Sequence, residues 1–121
     1  MGPLLVPSPP EKEGVWVNEK QIMQAIQLEL SKIGVRLLRN NVGMLEDSRG
    51  QKVKYGLCKG SSDLIGWIIP SGRFVAVEVK TPIGRATPEQ INFIEAVNRG
   101  GGIAFIARSV EEAVQQIRGR M

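Results

Sequence analysis

The stretch from Gly60 to Lys80, GSSDLIGWIIPSGRFVAVEVK, constrains this chain more tightly than any other. Ile65 to Ile69 and Phe74 to Val79 are rich in strand-forming residues, and Pro70, Ser71 and Gly72 mark a reversal between them, so the segment reads as a β-hairpin. A two-residue turn at Ser71 and Gly72 pairs Pro70 with Arg73, Ile65 with Glu78 and Asp63 with Lys80. Side chains alternate along a strand, so Phe74, Ala76, Glu78 and Lys80 share one face and Val75, Val77 and Val79 the other. Asp63, Glu78 and Lys80 then crowd one face at one end of the hairpin. Opposed side chains lie about 5 Å apart and diagonal ones about 7–8 Å, a span that one metal ion can bridge. A slip of one residue in the turn would send Asp63 to the other face.

The charges are oddly placed for a purely structural strand. The valines call for burial, and Phe74 with Ala76 indicates partial cover on the second face as well. A strand covered on both sides ends in two charges only where they are paired, bound to an ion or at the rim. Two carboxylates this close repel unless a cation or a shared proton joins them. Mg²⁺ or Mn²⁺ resolves the repulsion, because hard cations choose oxygen ligands and need no histidine. The bland alternative is a rim salt bridge, worth little.

Composition narrows the chemistry. The 121 residues suit one compact domain with its own core. Cys58 is the single cysteine, which excludes an intrachain disulfide, and the absence of histidine argues against a zinc site and a Ser-His-Asp triad. An enzyme built on this chain works with carboxylates, lysine or a hard metal. Sixteen Lys and Arg against twelve Asp and Glu give a net charge of +4, which favours an anionic partner such as nucleic acid. No apolar run approaches the roughly 20 residues of a membrane span, and the first ten residues lack the basic start of a signal peptide. The expectation is an intracellular, cytoplasmic protein without membrane contact.

Residues 1–17, with Pro3, Pro7, Pro9 and Pro10, read as an irregular arm that either reaches another subunit or is disordered. The domain proper spans 18–121. Its first helix starts at Glu19, capped by Asn18 with Gln21 in the reciprocal position, and Ile22, Ile26, Leu30 and Ile33 form the apolar face. Glu19 falls on that inward side, where it either complements the helix dipole or joins the active site. Gly34 ends the helix and a strand begins at Val35. Met44 to Lys59 has no clean period and reads as a long basic loop with a short helix or ribbon in it. Its Arg49, Lys52, Lys54 and Lys59, together with Arg39, Asn40 and Arg85, form the expected nucleic-acid contact. Cys58 reads as an ordinary buried or semi-buried thiol. Thr87, Pro88 and Gln90 open a second helix with the stripe Ile91, Ile94 and Val97 beside Phe93. Ile103 to Ala107 is another core strand, and Ser109 with Glu112 caps a last helix packed through Val110, Ala113, Val114 and Ile117. The expected fold is α/β, a central mixed sheet flanked by helices.

Asp63 followed by Glu78-Val79-Lys80 resembles the PD-(D/E)xK nuclease superfamily, whose fold is restriction-endonuclease-like. Gly60-Ser61-Ser62-Asp63-Leu64, Val77-Glu78-Val79-Lys80, Thr87-Pro88-Glu89-Gln90 and the Gly101-Gly102 strand are similar to its VRR-NUC (virus-type replication-repair nuclease) branch, over nearly the whole chain from Asn18 to Ile117. The resemblance implies a metal held by Asp63, Glu78 and the Val79 carbonyl, a catalytic Lys80, and supporting roles for Glu19 and Gln90. Ser62 stands where the superfamily has proline, which costs no ligand. Small stand-alone members, often from phages, resemble homodimeric endonucleases that cut branched DNA such as four-way (Holliday) junctions. Longer relatives resemble flap-cutting enzymes. No nucleotide cofactor is implied. The competing readings are a flap- or restriction-type nuclease, a phosphoesterase for small substrates and a basic nucleic-acid-binding module without catalysis.

Overall fold

The computed structural model describes residues 18–121; the expected arm over 1–17 lies outside the described residues. Helix α1 (Glu19–Ser31) begins with a reciprocal cap: the Gln21 N–H donates to the Asn18 side chain at 2.8 Å, and the Asn18 N–H donates to the Gln21 side chain at 3.1 Å. Ile22, Met23, Ile26 and Leu30 recur at helical spacing and are buried. Gly34, at φ 89°, turns the chain into strand β1 (Val35–Arg39), whose Val35 and Leu37 enter the core.

Strands β2 (Gly43–Glu46) and β3 (Lys52–Tyr55) pair with each other as a separate antiparallel ribbon, which occupies the aperiodic basic segment. Strands β4 (Leu64–Ile68) and β5 (Phe74–Val79) form the expected hairpin. Helix α2 (Pro88–Arg99) leads to strand β6 (Ile103–Ala107), which runs parallel to β5, and helix α3 (Val110–Arg118) follows. The main sheet has the order β1-β4-β5-β6 and mixes antiparallel and parallel pairs. The α/β fold, a central mixed sheet flanked by helices, is the one the sequence implied.

Val75, Val77 and Val79 join Ile26, Leu30, Phe105 and Ile117 in one core under α1 and α3. Each such side chain, once buried, contributes about 1.5–3 kcal/mol. Ala76 and Ala104 pair across β5 and β6 and are buried outside that core, on the face that carries α2. Two small side chains let that helix approach the sheet. Asn98 of α2 braces the far edge of β6, accepting from the Ala104 N–H at 2.9 Å and donating to its carbonyl at 3.0 Å.

Four expectations change. The hairpin reversal is longer than a two-residue turn: Ile68 and Arg73 close it, and the chain turns through Ile69 to Gly72. Ile65 therefore faces Ala76 instead of Glu78, and the register brings Asp63 level with Glu78 instead of Lys80. Because the displacement is two residues, an even number, every side chain keeps its face. The stripe of α2 is shallower than expected. Phe93, Ile94 and Val97 are half-buried and Ile91 is exposed, because a single helix covers that side of the sheet. Cys58 is exposed in the segment between ribbon and hairpin. Glu112 accepts from the Arg108 N–H at 2.6 Å, one residue before the Ser109 cap, so α3 lacks the reciprocal box. No helix among the described residues is long and apolar enough to cross a membrane.

Candidate active site

Glu78 lies near the end of β5, paired with Ile106 of the parallel β6, and is 2% exposed. Its Oε2 lies 3.4 Å from the Lys80 ammonium, two residues on and on the same face. Its Oε1 is buried without a hydrogen-bond partner among the described residues. Burial, then the neighbouring Asp63 carboxyl, pushes the Glu78 pKa up from 4.5 to about 8, against the opposing pull of Lys80. A buried carboxyl left half-satisfied next to a second carboxyl is costly for the bare fold.

Asp63 sits at the entry to β4 and accepts from the Val79 N–H at 2.9 Å through Oδ2, which fixes it beside the Glu78-Val79-Lys80 turn of strand. Lys80 is itself held by a bond from its N–H to the Ala107 carbonyl at 3.1 Å. The parallel β5–β6 pair thus carries the lysine and the antiparallel β4–β5 pair carries the aspartate. The donor set around Glu78 is oxygen throughout: two carboxyls, one with an orphaned buried oxygen, and the nearby Val79 backbone carbonyl. It suits a hard divalent cation that keeps part of its water shell.

Glu19 is exposed, unlike the buried Glu78. Asn18, Glu19, Lys20 and Gln21 are all exposed and burial begins at Ile22, so the first turn of α1 projects beyond the packed face. Among the described residues no group of three or more Asp, Glu, Cys or His side chains comes together as a metal cluster, which leaves Asp63 and Glu78 as a pair. Gln90 uses its amide oxygen to accept from the Thr87 N–H at 2.9 Å, completing the cap of α2.

The basic residues divide. Arg39, Arg49, Lys52, Lys54, Lys59 and Arg85 are exposed. Arg49 contacts Asp47 at 3.6 Å and Lys59 contacts Glu89 at 3.9 Å, both solvent-exposed pairs of small energetic weight. Asn40 differs from the rest. It is half-buried, its amide nitrogen donates to Ser61 Oγ at 2.7 Å and the Ser62 carbonyl at 2.9 Å, and its N–H donates to the Asp63 carbonyl at 2.8 Å. Asn40 thereby holds the loop that presents Asp63.

Two supports escaped the sequence reading. Gly60 adopts φ 88°, and a Cβ there would come within 2.6 Å of the Glu89 backbone, so the Asp63 loop packs directly on the first turn of α2. The Arg108 guanidinium donates to the carbonyls of Thr81 and Gly84 at 2.7 and 2.6 Å, fastening the loop that follows Lys80. The GSS triplet before Asp63 carried a signal for the first. Nothing near Arg108 announced the second, because its partners are backbone carbonyls distant in sequence.

An α/β sheet that lowers a carboxyl pair and a lysine into one end of a hairpin defines a restriction-endonuclease-like architecture. The chain belongs to the VRR-NUC domain family, whose model matches residues 17–111. Among solved structures it is similar to one described as a VRR_NUC domain protein, at 23% identity and a TM-score of 0.43, over 55% of this chain and 56% of that one. The chain thus spans little more than half the length of that relative. No curated protein matches it.

Proposed function

We propose that this protein is a Mg²⁺- or Mn²⁺-dependent endonuclease that hydrolyses phosphodiester bonds in branched DNA, with four-way junctions as the preferred substrate. One observation carries the reading: the buried Glu78 carboxyl, with an oxygen left unpartnered, stands between Asp63 and Lys80. Asp63, Glu78 and the Val79 carbonyl would hold the cation. When bound, it supplies a Lewis acid that polarises a phosphoryl oxygen. Lys80 then brings its ammonium to the side of the reacting phosphate, where it orients the attacking water and offsets negative charge. Gln90 and the N-terminal end of α2 offer polar groups to a neighbouring phosphate. The exposed Arg39, Arg49, Lys52, Lys54, Lys59 and Arg85 bind the DNA backbone.

The protein acts as a homodimer in this reading. Leu38, Trp67 and Phe74 are exposed on the sheet face opposite α1 and α3 and border a shallow cavity of about 350 Å³. A second copy covering that patch would set two sites against two strands.

An incision assay on four-way junctions, flaps and continuous duplex, at fixed salt with Mg²⁺ or Mn²⁺, tests the proposal. Junction cleavage is expected from the wild-type protein, with a loss of at least a hundredfold in Asp63→Asn and Lys80→Ala proteins that still bind DNA. A wild-type protein that binds junctions and cuts none of these DNAs with either ion would overturn it.

A further inference from the structure

Ribbon β2–β3 stands apart from the main sheet, and its build differs from that of a simple basic loop. Leu45 and Val53 are paired directly across its strands and therefore share a face, 64% and 50% exposed. The other face carries Met44 opposite Lys54 and Glu46 opposite Lys52. An isolated two-stranded ribbon is marginally stable in water, so a Leu–Val pair left uncovered among the described residues adds a liability without a folding benefit.

The ribbon is nevertheless firmly shaped. At its tip Asp47 Oδ1 accepts from the N–H groups of Arg49 and Gln51, each at 2.9 Å. At its root Gly56, at φ 85°, packs against the Asn41–Val42 backbone. Asn40, the residue before that contact, holds Ser61, Ser62 and the Asp63 carbonyl. The tip is thus shaped by its own turn, and the root is tied to the loop that delivers Asp63.

Charge selects what covers the apolar pair. From Val42 to Lys59 the chain carries Arg49, Lys52, Lys54 and Lys59 against Glu46 and Asp47. Covering one ribbon with the ribbon of a second copy would bring two basic excesses together. A polyanion that also offers apolar surface matches both features. DNA does so where its bases are unstacked, at a branch or in a single-stranded segment; in continuous duplex the base faces are hidden by stacking.

We propose that ribbon β2–β3 recognises DNA with exposed base faces by entering between strands at a branch, Leu45 and Val53 on one face lying against the bases while Lys52 and Lys54 on the other contact phosphates of the adjoining strand. Apolar wedges and basic ribbons each have precedent in DNA recognition. This inference deepens the nuclease reading and rests on it for the identity of the polymer.

Its test is a binding measurement, made on the 121-residue protein carrying Asp63→Asn so that no DNA is consumed. Thr retains strand preference, and both positions are at least half exposed, so Leu45→Thr with Val53→Thr leaves the fold intact. Affinity for a four-way junction and for a duplex of equal length is compared at fixed salt. The double substitution is expected to weaken junction binding about tenfold and duplex binding less than twofold. Lys52→Ala with Lys54→Ala is expected to weaken both alike and to flatten the salt dependence. Fluorescence of 2-aminopurine at the branch provides a second readout, changing on binding with Leu45 and Val53 present and not without them. Equal losses on both DNAs, no loss on either, or a change in molecular mass on substituting Leu45 and Val53 would each overturn the ribbon's role. A wild-type protein that binds but never cuts would instead count against the nuclease reading, leaving the ribbon comparison readable.

Discussion

Glu78 is where folding and function pull in opposite directions. Its folded-state pKa of about 8 exceeds the ordinary 4.5, so the metal-free native state binds a proton that the unfolded chain releases. Stability is then greatest at acid pH and falls as pH rises from about 5 to about 8 (the sign opposite to that of a salt-bridged carboxylate). A tenfold difference in proton affinity is worth about 1.4 kcal/mol, so the penalty at pH 8 is on the order of a few kcal/mol. Thermal melts in chelator are expected to show the midpoint dropping over that range for wild-type protein and staying nearly flat for Glu78→Gln. Added Mn²⁺ at pH 8 should raise the wild-type midpoint and leave that of Glu78→Gln in place. A flat wild-type profile in chelator would contradict the burial account of this carboxyl.

At the scale of elements, the active site depends on how the loop before β4 seats on α2. Gly60 needs both a positive φ and the absence of a side chain, because a Cβ would meet the Glu89 backbone at 2.6 Å. Gly72, at the far end of the hairpin, has φ 78° and open space around it. Gly72→Ala should therefore cost only backbone strain, roughly 1 kcal/mol, and preserve cleavage. Gly60→Ala should cost more and displace Asp63, and a misplacement of about 1 Å can lower turnover about a hundredfold. Melting temperatures and cleavage rates of the two proteins, measured together, separate the effects. Equal rates would mean that this contact does not position Asp63.

For the whole molecule, the part of the sheet face beside α2 that the described residues leave uncovered bears on assembly. Trp67 and Phe74 stand opposite each other at 42% and 39% exposure, with Leu38 alongside, a large apolar patch for a lone domain. Trp67→Glu is expected to halve the mass measured by light scattering and to reduce paired incision of junctions, while melting of the individual fold changes little. A wild-type monomer that still makes symmetric paired cuts would remove the dimer from the account.

The sequence by itself determined the main helices and sheet strands, the faces of the hairpin's side chains and the residue types from which a site could be built. Alternation put Glu78 and Lys80 together, caps at Asn18 and Thr87 opened two helices, and oxygen donors without histidine pointed to a hard cation; each of these is a local property of a few neighbouring residues. Tertiary structure decided the rest. Only the folded sheet revealed a reversal through Ile69 to Gly72, the exposure of Glu19, the hydrogen bonds by which Asn40 holds the Asp63 loop, and the clamp from Arg108. Those outcomes depend on which distant backbone groups meet. No periodicity along the chain encodes that, because a hydrogen bond to a carbonyl leaves no mark in the identity of the residue that carries it.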